Sequence, residues 1–310
     1  GMPLPMRWAA VISASPRWSK LAMVTRSGST SAGYSAGCYE VASPVMDDFV
    51  ATNRRHWDAV TPGHVTSQFY DLAGFKAGRD TIDSVEAAGV GDVAGKTLLH
   101  LQCHFGLDTM SWTRRGALAT GIDFSEVAID TARALAAEVG LATRFEVGNV
   151  LEVDLEEQFD VVFTSHGVLG WLPELESWGR TIARHLEPGG HFFVADSHPC
   201  VLMFDEERTD GVLAFRYDYF KRAEIPWEGE GSYADSRAPR TRLVERLHPL
   251  EDVVMALLEA GLTITDFREY PYLGWQGFAH MVVGEDGWWR LPDDQPQVPM
   301  MFSIAATKPS

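Results

Sequence analysis

Short apolar runs alternate with helical patterns along the chain from about residue 96 onward. The runs favour strands because each is brief and bounded by turn-forming residues, whereas the segments between them repeat apolar positions every three or four residues, as one face of a helix does. One such helix follows Ser125, a capping residue, and another precedes Pro188-Gly189-Gly190. The predicted strands are KTLLHL, ALATGID, TRFEVG, FDVVFTS, HFFVAD, LTITDFREY and MMFSIAAT.

Strands that alternate with helices are typical of a parallel sheet covered on both faces. NRRHWDAV and TIDSVEAAG predict helices ahead of the first strand, and residues 201–247, rich in charge and aromatics, interrupt the alternation. It resumes in a helix that Pro249 opens. We therefore predict one α/β domain over residues 46–310, a doubly wound, mostly parallel sheet of seven strands with N-terminal helices and a substrate-side insertion at 201–247.

Residues 1–45 differ from the remainder in being basic and rich in Ser, Ala and Gly. This composition predicts a flexible or non-native extension outside the fold, although the apolar stretch WAAVISA also resembles a weak leader peptide.

The charge balance narrows the classes of partner. Lys and Arg number 26 against 43 Asp and Glu, a net charge of -17, and so acidic a protein repels a phosphate backbone. No apolar run reaches the ~20 residues that span a bilayer. The three cysteines, Cys38, Cys103 and Cys200, offer no disulfide framework. We expect a soluble, cytoplasmic protein with neither a nucleic-acid nor a membrane partner.

Candidate chemistry lies after the strands, because ligands of open α/β sheets bind beyond the carboxyl ends of the strands. Gln102-Cys103-His104-Phe105-Gly106 follows the first strand and leads into a helix. Asp123 follows the second strand, where a carboxylate can accept both hydroxyls of a ribose. Asn149 follows the third strand, and Ser165-His166 follow the fourth.

The segment LLHLQCHFG resembles the strand and glycine-rich loop of class I S-adenosylmethionine-dependent methyltransferases. Cys103 and Gly106 match that motif, whereas His100, Gln102 and His104 replace its usual Asp and first two glycines. Asp123, Asn149 and LEPGGHFFVAD also fit, and the chain resembles a bacterial, uncharacterised small-molecule subgroup with an LHLQCHFG variant. The resemblance implies a Rossmann-like fold and S-adenosylmethionine as cofactor, with contacts from Gln102, Cys103, His104, Gly106, Asp123, Phe124, Asn149, Val150 and Ser165.

Other cofactors fit the loop less well. A dinucleotide needs its second glycine because the pyrophosphate approaches the backbone closely, so His104 argues against NAD. S-adenosylmethionine carries no phosphate, and the side chain of Gln102 can meet its amino-acid end. His100, Cys103 and His104 lack a fourth ligand at the usual spacing, so we predict no metal site.

Methyl transfer from a sulfonium needs mainly alignment of the acceptor, with a base if the acceptor is protonated at neutral pH. His166, His198 and His248 are the candidate bases, in that order. Trp57, Tyr70 and Trp171 are candidate residues for binding a small-molecule acceptor. The alternatives are a structural role for these side chains, a non-catalytic S-adenosylmethionine-binding or regulatory protein, and, for the quaternary state, a possible homodimer.

Overall fold

The computed structural model describes residues 46–222 and 224–310, and the prediction for residues 1–45 lies outside this part of the chain. Its centre is a seven-stranded sheet of order β3-β2-β1-β4-β5-β12-β8. Only β12 runs antiparallel to its neighbours in this sheet, which confirms the doubly wound, mostly parallel α/β prediction. The strands are β1 (Thr97–Leu101), β2 (Leu118–Asp123), β3 (Arg144–Val147), β4 (Phe159–Thr164), β5 (Leu186–Ser197), β6 (Glu224–Gly229), β7 (Thr241–Arg246), β8 (Thr263–Tyr270), β9 (Tyr272–Leu273), β10 (Val282–Val283), β11 (Trp289–Arg290) and β12 (Met301–Thr307).

Helices cover the sheet on both faces because successive side chains of a strand point to opposite sides. Leu98 of β1 packs into a core with Trp112, and its neighbour Leu99 packs into a second core with Trp178 and Ile182. All five side chains are fully buried. The helices are α1 (Met46–Thr66), α2 (Leu72–Lys76), α3 (Ser84–Val90), α4 (Leu107–Arg114), α5 (Glu126–Val139), α6 (Glu176–His185) and α7 (Leu250–Glu259).

The carboxyl ends of the central strands lie level with one another. Leu101 at the end of β1 pairs with Ile122 of β2 on one side and with Thr164 of β4 on the other. The loops after these strands therefore meet at one edge of the sheet, where the sequence predicted a ligand site.

Two features of the fold go beyond the sequence prediction. The helix expected at NRRHWDAV extends over the whole of α1, and residues 271–299 contain a small sheet of order β10-β11-β9. Each strand of that sheet has two residues, too few to show periodicity in the sequence.

Within the insertion, β6 and β7 form an antiparallel hairpin that packs on α1. The Asn53 side chain of α1 donates to the Val244 carbonyl and accepts from its N–H, both at 2.8 Å. We call α1 and this hairpin the cover, because together they lie over the carboxyl edge of the sheet. Among the described residues, we find no helix with the length and apolar character that crossing a membrane requires.

Candidate functional site

The loop between β1 and α4 has an unusual backbone. Gln102, His104 and Gly106 have φ angles of 57°, 50° and 80°, in the left-handed region that favours glycine. A Cβ atom at Gly106 would lie 2.4 Å from the Phe145 ring, so only glycine fits there. The two positions at which the sequence replaces a glycine of the methyltransferase motif, Gln102 and His104, thus keep a glycine-like backbone.

Asp123 holds this loop from the end of β2. Its Oδ2 accepts the His104 N–H at 2.8 Å, and its Oδ1 accepts the Ser125 N–H at 2.9 Å. Since each carboxylate oxygen has two acceptor sites, one remains on each oxygen for a ligand hydroxyl. Burial raises the pKa of Asp123 to about 6, against the opposing effect of these N–H groups.

Gln102 joins the first loop to the loop after β4. Its Nε2 donates to the Val168 carbonyl at 3.0 Å. Its Oε1 is buried without a hydrogen-bond partner in the described part of the chain, as is the Thr164 hydroxyl at the end of β4. Buried polar atoms are rarely left unpaired, and an acceptor oxygen here suits an ammonium group.

Aromatic side chains from the cover pack against the same loop. The Trp57 ring lies 5.2 Å from the His104 ring and 5.5 Å from the Trp171 ring, between centroids. His104 also contacts Tyr70 and accepts or donates a 3.1 Å hydrogen bond with His64. Two of the three predicted acceptor-binding residues, Trp57 and Tyr70, therefore contact His104, and the third, Trp171, packs on Trp57.

Burial keeps the two paired histidines neutral. It lowers the pKa of His64 to about 4, with a further contribution from His56, and it lowers that of His104 well below the usual value. Two imidazolium rings in contact would repel each other, so at most one of the two can be protonated, and burial favours the neutral form of both.

The remaining predicted cofactor residues differ in what they present to the edge of the sheet. The Cys103 and Val150 side chains are buried in the hydrophobic cores, which leaves only their backbone for a ligand. Asn149 Oδ1 accepts the Leu151 N–H at 3.1 Å, and the Ser165 hydroxyl is hydrogen-bonded to His100 at 3.0 Å. Phe124 is partly exposed. Their cofactor roles stay predictions.

His166, the first candidate base, is paired with carboxylates. Its Nε2 lies 2.8 Å from Asp83 Oδ2 and 3.6 Å from Glu86 Oε1. Burial alone would lower the pKa of His166, but the Asp83 hydrogen bond and the two negative charges outweigh burial and raise the pKa to about 10. Through this pairing, His166 ties α3 to the β4 loop. A protonated imidazole has no free lone pair, which disfavours proton abstraction by this ring, and the role of His166 as a base stays a prediction.

These three side chains also form a group of metal-ligand type, with ligand atoms within 4.8 Å of one another. The direct hydrogen bond between His166 and Asp83 already explains their proximity.

The other candidate bases occupy different positions. His198 Nδ1 accepts the Cys200 N–H, and its Nε2 lies 3.0 Å from Glu269 Oε1. His248 Nε2 donates to the Leu172 carbonyl at 2.8 Å, which leaves Nδ1 unprotonated. Burial lowers the pKa of both rings. Of the three histidines, His248 lines a cavity.

Asp196, in the strand HFFVAD, is a site residue that the sequence reasoning missed. Its carboxylate accepts the N–H groups of Gly167, Val168, Leu169 and Ser197 at 2.6–3.2 Å. It therefore shapes the whole β4 loop, on which both Gln102 and Trp171 depend through hydrogen bonds. An acidic residue at the end of a strand was visible in the sequence, but three of its four partners lie 27–29 positions away.

Comparison with known proteins agrees with this architecture. Residues 99–194, which run from β1 into β5, match a family model described as a methyltransferase domain. Among solved structures, an S-adenosylmethionine-dependent methyltransferase from Mesorhizobium loti has a TM-score of 0.50 at 21% identity, over 71% of this chain and 94% of that one. A putative one from Listeria monocytogenes has a TM-score of 0.51 at 21% identity, over 72% and 95%. At this identity, the likeness establishes a shared Rossmann-like fold.

Curated relatives match part of the chain. The ubiquinone biosynthesis O-methyltransferase of Aeromonas salmonicida is 30% identical over 137 residues, 42% of this chain and 57% of that protein. The corresponding protein of Pseudomonas paraeruginosa is 34% identical over 112 residues, 36% and 47% of the two chains. The chain thus spans about half the length of these relatives, in agreement with a methyltransferase-type domain.

Proposed function

We propose that this protein is an S-adenosylmethionine-dependent methyltransferase that acts on a small molecule. The observation that carries the proposal is Asp123, a carboxylate at the end of β2 that anchors the left-handed β1 loop and keeps an acceptor site on each oxygen. The methyltransferase-domain match over residues 99–194 and the names of the relatives support the same class.

The residues of the loops fit this cofactor. Asp123 would accept the ribose hydroxyls, and the unpaired Gln102 Oε1 would accept the cofactor's ammonium group. The rings of Trp57 and His104 border the loop, and the electron-rich face of an indole ring attracts a cation such as a sulfonium. When bound, the cofactor supplies a methyl group already activated by that positive sulfur.

A small acceptor agrees with the charge and with the cover. The net charge of -17 disfavours nucleic acid. The two parts of the cover are joined through Asn53 and Val244. The cover meets the carboxyl edge through a hydrogen bond between Asp58 and Ser125 at 2.6 Å, and closed surroundings keep water from the reacting atoms.

Substitution of Asp123 tests the proposal directly. We expect Asp123→Ala to weaken S-adenosylmethionine binding at least tenfold, about 1.4 kcal/mol, because two ribose hydroxyls lose their acceptor. Titration calorimetry of the full chain measures this, with S-adenosylhomocysteine release from a panel of acceptors as a second measurement that separates an enzyme from a passive binder.

Asp130→Ala, which removes an exposed carboxylate on the following helix, is the matched control and should bind as the wild type does. Unchanged affinity in a folded Asp123→Ala protein would contradict the site.

A further inference from the structure

A second site lies where the β4 loop, the end of β5 and strand β7 meet. These three elements enclose a cavity of about 50 Å³. Phe302 is part of its apolar wall, and its polar lining comes from Asp196, Ser197, Glu245, Arg246 and His248. The cavity adjoins the β4 loop, whose Val168 carbonyl binds Gln102 of the candidate cofactor loop.

Glu245 is fixed in this cavity by its position in the hairpin. The preceding residue, Val244, is held by both of its backbone hydrogen bonds to Asn53. Across the cavity, a Cβ atom at Gly170 would lie 3.0 Å from Glu245 Oε1, so glycine there leaves the carboxyl group its room. Within the described residues, the carboxylate makes no hydrogen bond or ion pair, and its oxygens are open to a ligand.

The surroundings suit this carboxyl group to proton exchange. Burial, with the charges of Asp196 and Glu206, raises the pKa of Glu245 to about 7. A carboxyl group near half-protonation at neutral pH can take up a proton from a substrate and release it to water. The ionisable groups around it are Asp196, Glu206, Tyr217, Arg246 and His248.

We infer that this cavity binds the reacting group of the methyl acceptor and that Glu245 is the catalytic base, an inference that rests on the proposed function. In the step, the lone pair of the acceptor oxygen or nitrogen forms a bond to the methyl carbon. The carbon–sulfur bond breaks, and its electron pair stays on sulfur as a neutral thioether. The proton of the acceptor passes to a Glu245 oxygen.

Charge selects the class of acceptor. The carboxyl groups of Asp196, Glu206 and Glu245 outnumber the guanidinium of Arg246, which also lines the cavity and donates to the Pro173 carbonyl. An anionic group entering the cavity therefore meets net repulsion, whereas a neutral hydroxyl or an ammonium group does not. The acceptor is therefore a neutral or cationic small molecule whose attacking atom carries a proton. His248, whose Nε2 is committed to the Leu172 carbonyl, presents Nδ1 as a positioning group for that proton.

Tyramine and 4-hydroxyphenylacetate test this inference as a matched pair, because they share a phenol and differ in the charge of the tail. The variant is Glu245→Gln, which keeps the shape and removes the ionisable group. Its control is Glu228→Gln, in strand β6 of the same hairpin, where the side chain is exposed and paired with Arg240. Methylation is followed by S-adenosylhomocysteine release, and tyramine binding by calorimetry in the presence of S-adenosylhomocysteine.

We expect the wild type to methylate tyramine at least tenfold faster than 4-hydroxyphenylacetate. In Glu245→Gln, kcat/KM for tyramine should fall about 100-fold or more at pH 7, tyramine should bind at least fivefold more weakly, and S-adenosylmethionine affinity should stay within twofold. The acid limb of the wild-type pH profile, centred near pH 7, should be absent from the variant. Glu228→Gln should match the wild type throughout.

Three results would overturn the inference: a Glu245→Gln protein as active as the wild type, retention of its acid limb, or a preference for the anionic probe. Methylation of neither probe, with S-adenosylmethionine bound tightly, would overturn the acceptor class stated here. Failure of the wild type to bind S-adenosylmethionine would instead count against the proposed function.

Discussion

The β1 loop shows that a backbone conformation can persist without the residue that favours it. Gln102 and His104 adopt left-handed φ angles that cost a non-glycine residue roughly 1–2 kcal/mol. Side-chain contacts offset this cost, through the Gln102 bond to Val168 and through the packing of His104 on Trp57 and His64. Side-chain contacts thus stabilise a backbone conformation that glycine would adopt without steric strain.

Replacement of Gln102 separates the cost of backbone strain from the contribution of the side-chain hydrogen bond. Gln102→Ala loses the hydrogen bond and keeps the strain, whereas Gln102→Gly loses the bond and relieves the strain. We expect the glycine variant to be more stable than the alanine variant by about 1 kcal/mol, measured by urea unfolding.

The same pair of substitutions at Gln158, an exposed residue whose φ is not positive, should show glycine equal to or less stable than alanine. If the glycine variant were more stable than the alanine variant at both positions, backbone strain at Gln102 would not explain the difference in stability.

For individual residues, the sequence predicted site residues from their position after a strand, but it did not predict which residues they contact. Asp123 and Gln102 lie where the motif and the strand order put them. Glu245 and Asp196 were missed because their properties depend on burial and on neighbours far along the chain. His166 was predicted as a base for its position, and Asp83, its partner 83 residues away, is what alters its charge.

Helix α3 and the β4 loop are joined by that ion pair. The pKa of His166 is raised from its unfolded value to about 10, so the folded state binds the proton more tightly. Its stabilising contribution is complete below pH 6.5 and is lost as the pH rises toward 10. The titratable groups that face it are Asp83, Glu86, Asp108 and Asp196, and burial raises the pKa of the last three.

His166→Gln should therefore lower the free energy of unfolding more at pH 6.5 than at pH 9.5. We expect the difference between wild type and variant to shrink by on the order of 2 kcal/mol across this interval. Urea unfolding at the two pH values measures it.

His191→Gln is the control, because that ring binds only the Gly89 carbonyl in the described structure. If the difference in free energy of unfolding between the wild type and His166→Gln did not vary with pH, this result would contradict the ion pair.

Helices and strands whose apolar residues recur at a regular spacing were predictable from the sequence, and those without such a spacing were not. The parallel strands and α5 carry apolar residues at strand or helix spacing, and Ser125 caps α5 as expected. The β6–β7 hairpin lies in a segment where charges and aromatics mask alternation, and β9, β10 and β11 are two-residue strands defined only by their pairing.

On the scale of the whole molecule, the protein divides into a rigid sheet and a cover that depends on a few polar contacts. The central strands are buried on both faces. The cover meets the sheet edge through His64 and Asp58, and Asn53 joins its helix to its hairpin. Regions with few buried apolar contacts open at lower free energy than cores, so the cover should open while the sheet stays folded.

Asn53→Ala tests this division. It leaves the Val244 N–H and carbonyl without partners, which costs about 2 kcal/mol. We expect amide hydrogen exchange in α1 and β7 to become at least tenfold faster, with no change in β1, β4 and β5.

Thr66→Ala, at the exposed end of α1, should leave exchange as in the wild type. Equal acceleration in the central strands would show that cover and sheet unfold together.

The side chains at positions 102 and 104 also have a practical consequence. A pattern search that demands glycine at both sites passes over this chain, whereas a search by torsion angle finds it. Because the main chain there already follows a path that glycine accepts, either residue can be trimmed to widen the loop. A loop with glycine at both positions has no side chain to shorten, so this loop can be opened for a larger ligand in a way that such a loop cannot.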